Sequence, residues 1–170
     1  MTGSWMIKLF ICGYARHGKD SVAEILQRRF GLRHESSSHL AMRLFLREEL
    51  KKHDLVYETE EACYADRLNH RQLWFDIIKN YNSSDLSRLS RAIFADNDIY
   101  VGIRNCREFK TAQENNVVDL SVWVDATQRL GTIEKGSITI EPSDCDFTVL
   151  NNGSYQDLEI KIFRIFSRIL

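Results

Sequence analysis

The stretch that decides the fold is Gly13-Tyr14-Ala15-Arg16-His17-Gly18-Lys19-Asp20-Ser21. It fits the pattern GxxxxGK, followed by Asp where Ser or Thr is usual. Two glycines let a backbone wrap around a phosphate so that successive N–H groups point at its oxygens, and the lysine reaches the β- and γ-phosphates. The alternative is an ordinary glycine turn capped by Asp20 or Ser21, which leaves the position of Lys19 unexplained. We therefore predict a phosphate-binding loop, with contacts from Gly13, Ala15, Arg16, His17, Gly18, Lys19, Asp20 and Ser21.

The residues on either side have the pattern that such a loop requires. Ile7 to Cys12 is a short, nearly continuous apolar run, typical of a parallel strand covered on both faces. Ser21 to Phe30 places apolar residues at helical spacing, and Gly31 then ends the helix. The sequence thus predicts a strand, a loop and a helix in that order.

The rest of the chain alternates helical and strand patterns. Helical spacing covers Leu40 to His53, Glu60 to Tyr81, Leu86 to Phe94, about Glu108 to Glu114, and Tyr155 to Leu170. Strand patterns cover Ile99 to Ile103, Val117 to Val124 and Phe147 to Leu150. This alternation argues for a parallel sheet. We predict a three-layer α/β protein, one domain over residues 1–170, with a helical insertion at about 40–96 and a glycine-containing excursion at about 127–143.

The composition is that of a globular protein with almost no net charge. It is 44% hydrophobic and 28% charged with a single proline, which excludes the disordered, collagen-like and low-complexity classes. The 23 Lys and Arg against 24 Asp and Glu give a net charge of -1, so no global basic field attracts duplex DNA or an acidic membrane. No apolar run approaches the roughly 18 to 20 residues of a membrane span, and residues 1–13 lack the features of a signal peptide. We expect a cytoplasmic protein, and the sequence does not indicate its oligomeric state.

The cysteines are Cys12, Cys63, Cys106 and Cys145, and none of them forms a CxxC pair. This spacing does not fit a structural zinc site. A disulfide framework is also a poor fit, because a chain this long can bury its own core and carries no export signal. We expect all four thiols to be reduced, with Cys12 in the core.

Asp20 stands at the position whose hydroxyl normally binds Mg²⁺. A carboxylate is also a hard oxygen ligand, so Asp20 binds Mg²⁺ directly or through water, or Ser21 supplies the hydroxyl one residue later. The alternative is that Asp20 only caps the helix. Asp20 and Ser21 are therefore the candidate Mg²⁺ ligands.

Three motifs, in this order, resemble those of a known family. The form GKD[ST], here Gly18 to Ser21, is similar to that of the deoxynucleoside monophosphate kinases of bacteriophages, a group within the P-loop nucleoside monophosphate kinases. Ile99 to Arg104 with Glu108 resembles that family's strand, Asp-x-Arg and following glutamate, although Gly102 replaces the acidic residue. Cys145 to Ser154 resembles its terminal block of Asp, apolar strand, Asn and Gly-Ser. The helical block in the middle of the chain matches no motif of that family.

The resemblance implies a P-loop kinase fold with a mobile lid over the excursion, and ATP and Mg²⁺ as cofactors. It places the catalytic positive charges at Lys19, Arg104 and Arg129, with Lys135 also in the lid. Arg104 would face a phosphate at the end of a strand; the alternative is a surface salt bridge with Glu108. The adenine contacts would come from Asn151, Asn152 and Gly153. If the protein is phage-encoded, its compartment is the host cytoplasm.

The acceptor would be bound by polar residues that follow the second strand or lie on the helical block. These candidates are Glu35, Ser36, Ser37, Ser38, Arg43, Arg67, His70, Arg71, Arg104 and Glu108. Hydroxyls and carboxylates of this kind hydrogen-bond a sugar or base, or they form a polar turn. If the helix is continuous, Arg67 and Arg71 share one face at i, i+4, with Asp66 as the carboxylate between them. The alternative is that these residues form a solvated helix face. Tyr64 and Trp74 stack on a base or belong to the core.

More than one function fits these residues. The first is ATP-dependent transfer of the γ-phosphoryl group to a deoxynucleotide, above all a deoxynucleoside monophosphate. The second phosphorylates the hydroxymethyl group of 5-hydroxymethyluracil in DNA, as phage kinases related to the family do, on a flipped or single-stranded base. The third is a switch protein that hydrolyses ATP slowly and uses Asp125 or Asp119, next to a strand, as its acid. In a purely structural domain, Lys19 would have no role in ligand binding.

Overall fold

The computed structural model describes residues 7–131 and 138–170. Its centre is a parallel sheet whose strands are β1 (Leu9–Cys12), β2 (His34–Ser36), β3 (Ile99–Val101), β4 (Leu120–Asp125) and β5 (Phe147–Leu150). Their spatial order is β2-β3-β1-β4-β5, so β1 lies in the middle, between β3 and β4. All four pairings are parallel. The predicted α/β class with a parallel sheet is confirmed.

Strand β1 is apolar throughout because both faces of the sheet are covered. Its four residues, Leu9, Phe10, Ile11 and Cys12, are completely buried. Successive side chains of a strand point to opposite faces, so Leu9 and Ile11 join one core cluster while Phe10 and Cys12 join the other. The two clusters define a core on each side of the sheet.

Two long helices, α1 (Lys19–Phe30) and α9 (Tyr155–Phe166), cover the first face. Helix α1 ends at Gly31, which has the left-handed conformation (φ +71°) typical of a C-terminal cap. Helix α9 begins with a capping box in which Ser154 and Asp157 bond each other's backbone N–H groups. Helix α9 is four residues shorter than the pattern over Tyr155 to Leu170 predicted.

The second face is covered by the helical block and by the helix that follows β3. These elements are α2 (Ser37–Ala41), a π-helix (Met42–Leu46), α3 (Arg47–Lys51), α4 (Glu60–Asp66), α5 (Arg71–Tyr81), α6 (Arg88–Asp96) and α7 (Cys106–Glu114). Phe10 lies at their centre, with its ring 5.4 to 5.6 Å from the rings of Phe94, Tyr100 and Phe109. Aromatic packing therefore joins the block to the central strand.

The single helix predicted over Glu60 to Tyr81 is wrong, because the chain breaks between α4 and α5. Residues 67–70 form a turn in which the N–H of Asn69 bonds the carbonyl of Asp66. The side chain of Asn69 donates to the Asp66 carboxylate at 2.6 Å, a local bond that competes with helix continuation. Leu68, which the pattern places on the apolar face, is 60% exposed.

The helix predicted over Leu40 to His53 begins earlier, at Ser37, and contains an irregular turn. Between α2 and α3 the π-helix Met42–Leu46 adds one residue to a helical turn. Beyond it, Arg47 donates through Nη2 to the carbonyls of Tyr57 (2.8 Å) and Glu58 (3.1 Å), which holds the loop before α4.

The excursion before β5 is described in part. It begins with the short helix α8 (Thr127–Leu130) and ends with a 3-10 turn, Pro142–Asp144. Lys135 and Gly136 lie outside the described residues, as does Ser137 of the predicted short alternating run. Strand β4 begins at Leu120 rather than Val117.

Within the two described ranges, no helix is long and apolar enough to cross a membrane.

Candidate functional site

The loop 13–18 joins the end of β1 to the start of α1, at the edge of the sheet where all strands have their carboxyl ends. The chain leaves β1 toward β2 and β3 on one side and later continues to β4 and β5 on the other. Open α/β sheets bind ligands where the strand order reverses in this way. The loop therefore lies at the topological switch point of the sheet.

Gly13 and Gly18 are required by the shape of this loop. Both have positive φ, +143° and +96°, which disfavours residues with a Cβ. A Cβ on Gly13 would lie 2.5 Å from the carbonyl oxygen of Val124, and one on Gly18 would lie 2.3 Å from Nδ2 of Asn151. Arg16 is also left-handed (φ +63°), which is uncommon for a residue other than glycine. The loop thus passes close to the ends of β4 and β5.

Lys19 lies across the loop that precedes it. Its Nζ donates to the carbonyls of Gly13 (2.9 Å) and Tyr14 (2.7 Å). Lys19 is also the first residue of α1, whose N-cap, Gly18, has no side chain to bond the first N–H groups of the helix. An ammonium group and the positive end of a helix dipole therefore meet at one place, which favours a bound anion.

His17 is completely buried and joins the loop to the segment after β4. Its Nδ1 accepts the N–H of Ala126 at 3.0 Å, which places the ring proton on Nε2, 2.9 Å from the carbonyl of Gly131. A second link comes from Asn151, whose Nδ2 donates to the carbonyl of His17 at 2.9 Å. The loop is thus held to β4, to the end of α8 and to the turn after β5.

The segment 151–153, for which the resemblance implies adenine contacts, begins next to the loop. The side chain of Asn151 is buried and is used in the contact with His17. Asn152 has a buried Oδ1 without a hydrogen-bond partner among the described residues. Gly153 lies close to Asp157, the residue that completes the cap of α9. Asn151 therefore positions the loop, while Asn152 holds a buried acceptor next to it.

Asp20 and Ser21 lie in the first turn of α1. Neither residue is the N-cap, which is Gly18, so the alternative of a turn capped by Asp20 or Ser21 is wrong. Among residues 7–131 and 138–170, no group of three or more metal-ligating side chains can hold a metal ion. A Mg²⁺ ion at Asp20 and Ser21 would need further oxygen ligands from a nucleotide and water.

Arg104 and Glu108 lie beyond the end of β3 but do not form a helical pair. Helix α7 begins at Cys106, after Arg104, so the i, i+4 spacing does not apply. Arg104 is exposed, whereas Glu108 faces the interior, where burial raises its pKa and a hydrogen bond from Asn82 partly opposes that rise. Gly102 has positive φ (+85°), and a Cβ there would be 3.9 Å from Cε of Lys19. The end of β3 therefore lies beside the side chain of Lys19.

Arg129 lies on α8, one turn after β4. Asp125 ends β4 and accepts the N–H of Thr127, the first residue of α8, at 2.7 Å, together with the Thr127 hydroxyl. Its carboxylate is also 4.0 Å from Nδ1 of His17, so it borders the loop. Asp119 precedes β4, roughly 20 Å away along a strand of this length, and accepts the N–H of Lys8. Asp119 is therefore excluded as the acid of a nucleotide site at the loop.

The acceptor candidates near β2 lie at the same edge of the sheet as the loop. Glu35 and Ser36 belong to β2 itself rather than to a turn after it, and Ser37 and Ser38 begin α2. Glu35 accepts from Arg43 at 2.5 Å. The two residues thus form an ion pair that joins β2 to the π-helix.

Tyr64 brings several of the other candidates together. Its hydroxyl is 3.3 Å from Oγ of Ser36, and the guanidinium of Arg67 lies over its ring at 4.7 Å. The ring of His39 packs edge-on against it with the centroids 4.0 Å apart. Trp74 is buried in the core behind it, with an indole N–H that has no partner among the described residues.

Asp66 forms a separate cluster with Tyr57 and His70. The Tyr57 hydroxyl donates to Asp66 at 2.7 Å, and His70 lies 3.1 Å away. The bond from Tyr57, followed by the bond from Asn69, lowers the pKa of Asp66, whereas burial and then Asp66 raise the pKa of Tyr57 to about 12. Arg71 begins α5 beyond the turn, so the predicted helical pairing of Arg67 with Arg71 is wrong.

The structure places the predicted residues in two groups, which we name after the roles predicted for them. The phosphate side comprises loop 13–18, Lys19 and the turn 151–153, and the acceptor side comprises Glu35 with Arg43 and the Tyr64 and Asp66 clusters. The acceptor side includes His39 and Tyr57, which sequence reasoning missed because nothing in their spacing marks them. The glycine-loop pattern includes His17. Its two hydrogen bonds, to Ala126 and Gly131, join it to residues more than 100 positions away in the chain, so the pattern does not indicate them.

The chain matches no known protein-family model, and no curated protein matches its sequence.

Proposed function

We propose that this protein is a kinase that transfers the γ-phosphoryl group of ATP to a deoxynucleotide, above all a deoxynucleoside monophosphate. The observation that carries the proposal is the position of Lys19, across a loop with two obligatory glycines at the switch point of a parallel sheet. A lysine at a helix N-terminus, next to the backbone N–H groups of a glycine loop, is the arrangement that binds nucleotide phosphates.

The phosphate side fits ATP in a second respect. The buried Oδ1 of Asn152 lacks a hydrogen-bond partner among the described residues, and an unpaired buried acceptor costs free energy. The exocyclic amine of adenine is a donor of the kind that this oxygen lacks. Mg²⁺ bound with ATP would neutralise charge on its β- and γ-phosphates. Asp20 and Ser21, in the first turn of α1, are the residues of this chain that would hold it.

Three cations around the loop provide the charge that phosphoryl transfer needs. Lys19 begins α1 after β1 and the loop, Arg104 follows β3, and Arg129 lies on α8 after β4. Each of the three residues thus follows one of three neighbouring strands. We assign them to neutralising the transferred group, since catalysis of this reaction is mostly positioning and electrostatic stabilisation. The acceptor would then lie toward β2, against Arg43 and the ring of Tyr64.

The decisive experiment follows labelled γ-phosphate. The protein is incubated with γ-labelled ATP and Mg²⁺ and, in separate reactions, with each of the four deoxynucleoside monophosphates or with single-stranded or duplex DNA that contains 5-hydroxymethyluracil. We expect label in at least one monophosphate and none in DNA. Label in DNA alone would replace the proposed acceptor by the base in DNA. Equal release of inorganic phosphate with and without any acceptor would identify a switch protein.

The matched variants are Lys19→Ala and Lys52→Ala. Lys52 is an exposed helical lysine whose surface ion pair with Glu49 contributes little. We expect Lys19→Ala to abolish transfer and to weaken ATP binding at least about 100-fold, because it removes a charge-assisted contact to phosphate. Lys52→Ala should behave as the wild type. Unchanged ATP binding in Lys19→Ala would overturn the proposal.

A further inference from the structure

The segment 138–145, which returns from the excursion after β4, contacts the backbone around Arg104. The two meet at Thr139, whose N–H donates to the carbonyl of Arg104 at 2.9 Å. The hydroxyl oxygen of Thr139 accepts the N–H of Cys106 at 2.9 Å, and the hydroxyl donates to the same Arg104 carbonyl at 3.4 Å. Thr139 thus bonds the two peptide groups on either side of Asn105.

These bonds complete the cap of α7. The first N–H groups of a helix have no acceptor within the helix, so other groups must supply one. The N-cap residue Asn105 accepts the N–H groups of Arg107 and Glu108 through its side chain, at 2.9 and 3.3 Å. The N–H of Cys106, the first residue of α7, is bonded by Thr139 instead. The start of α7 therefore depends on a residue 33 positions further along the chain.

Thr139 is itself held in place by its neighbours. Ile140 is buried, with 2% of its surface exposed, and Ile138 packs against the same core cluster. Further along the segment, the carboxylate of Asp144 lies 3.2 Å from Nζ of Lys110 on α7. These contacts do not involve the Thr139 hydroxyl, so we expect the segment to stay in place when that hydroxyl alone is removed.

The same excursion also contacts the phosphate loop. Strands β3 and β4 lie on either side of β1, so a chain that starts at the end of β4 and reaches the end of β3 passes β1, where the loop begins. Near its start, the carbonyl of Gly131 accepts from Nε2 of His17 at 2.9 Å. Near its end, Thr139 bonds the backbone of Arg104. The excursion is therefore joined to the loop at one end and to the candidate catalytic arginine at the other.

We propose that Thr139 is a positioning residue for phosphoryl transfer, and that it acts by fixing the backbone from which the Arg104 side chain extends. The inference rests on the proposed function, which assigns Arg104 to the transferred group. A displacement of 1 Å in a group that stabilises the transition state lowers the rate by up to about 100-fold. Because Thr139 acts through Arg104, its loss should lower kcat and leave KM for both substrates unchanged.

The first measurement needs no substrate. Thr139→Val removes the hydroxyl, so the N–H of Cys106 loses its acceptor. In a proton-nitrogen NMR spectrum we expect the Cys106 amide proton to move upfield and the Arg104 Nε–H signal to shift, while the Arg107 amide, which Asn105 bonds, stays in place. Thr139→Ser keeps a hydroxyl and should restore both signals. An Arg104 signal that does not move in Thr139→Val would overturn the proposal.

The second measurement follows labelled γ-phosphate from ATP to the acceptor. We expect kcat of Thr139→Val to fall about tenfold at unchanged KM for both substrates, and kcat of Thr139→Ser to recover. The matched control is Thr59→Val, which removes the hydroxyl that accepts the N–H of Ala62 at the start of α4. Both valine variants lose one helix cap, so both should unfold about 2 to 4 °C lower than the wild type. Only Thr139→Val should lose kcat.

Two kinetic results would contradict this role of Thr139. They are an equal fall of kcat in Thr59→Val, which would make the effect one of stability, and a rise of KM for ATP at unchanged kcat in Thr139→Val. If the wild type transfers label to no acceptor, the proposed function fails, whereas the NMR spectra still decide whether Thr139 fixes Arg104. Failure of this inference and failure of the proposed function are therefore separate outcomes.

Discussion

The phosphate side and the acceptor side are built in different ways. On the phosphate side, most contacts involve the main chain. Two glycines with positive φ allow close approach to β4 and Asn151, and the side chains of His17 and Asn151 bond main-chain atoms. On the acceptor side, side chains face side chains, as in the pair of Glu35 with Arg43. A site built from backbone depends on where a glycine stands, whereas a site built from side chains depends on how helices pack. The two sides should therefore respond differently to substitution.

The largest effect is expected at Gly18. In Gly18→Ala the new Cβ would meet Nδ2 of Asn151 at 2.3 Å, in a conformation with positive φ, so the loop must move. We expect ATP affinity to fall at least about 100-fold, measured by isothermal titration calorimetry. The control is Gly31→Ala at the other end of α1, where φ is +71° and nothing lies within 4 Å. It should destabilise the protein by about 1 kcal/mol and leave ATP affinity unchanged; equal losses of affinity in both variants would contradict the argument.

His17→Ala should have the next largest effect. It removes the partners of a buried N–H at Ala126 and of the Gly131 carbonyl, and it leaves a cavity. We expect the free energy of unfolding in urea to fall by about 2 to 4 kcal/mol and ATP affinity to fall about tenfold. His39→Ala is the matched change on the acceptor side, where the ring packs edge-on against Tyr64. That variant should keep full ATP affinity, and a loss as large as in His17→Ala would abolish the distinction between the two sides.

A smaller and more selective effect is expected at Arg43. If the acceptor binds on this side, Arg43→Ala removes one of its cations and should raise KM for the acceptor about tenfold, at unchanged ATP affinity. The control is Arg91→Ala, since Arg91 is also an exposed arginine of the helical block, paired with Asp85. Steady-state kinetics with each substrate varied separately measures the difference. A loss of ATP affinity as large as the rise in KM for the acceptor would contradict the assignment of Arg43 to the acceptor side.

The smallest effect concerns pH. The hydrogen bonds from Tyr57 and Asn69 lower the pKa of Asp66, so the folded state favours the ionised carboxylate. The stabilisation is complete above the unfolded pKa of about 3.9 and is lost as pH falls through the lower folded value. The difference in unfolding free energy between wild type and Asp66→Asn should thus shrink as pH falls below about 4. In Tyr57→Phe an NMR titration of Asp66 should give a higher pKa; an unchanged value would remove Tyr57 as the main cause.

Sequence reasoning predicts the parts of this protein that depend on local chain geometry. The run Leu9 to Cys12 is buried on both faces, and the glycine pattern at residues 13–18 lies where a strand ends and a helix begins. The turn 151–153 also lies beside that loop. These features are encoded in neighbouring residues, since strand burial and positive φ each leave a short signature.

The parts that sequence reasoning missed depend on contacts distant in the chain. The break between α4 and α5 lies next to side-chain hydrogen bonds to Asp66, including one from Tyr57, which hydrophobic periodicity does not register. Periodicity reports which face of an element is apolar, but it does not report which side chain of another element meets it.

The π-helix at Met42–Leu46 has a consequence for how the acceptor side tolerates changes in chain length. A turn of this kind is equivalent to one residue inserted into an ordinary α-helix. Because the wider turn absorbs that residue, the helix before it and the helix after it keep nearly the same angular phase. Deleting one residue between Arg43 and Arg47 would restore regular winding and should leave Arg43 opposite Glu35 and Arg47 at the carbonyls of Tyr57 and Glu58. The π-helix thus lets this part of the chain change in length by one residue without loss of either contact.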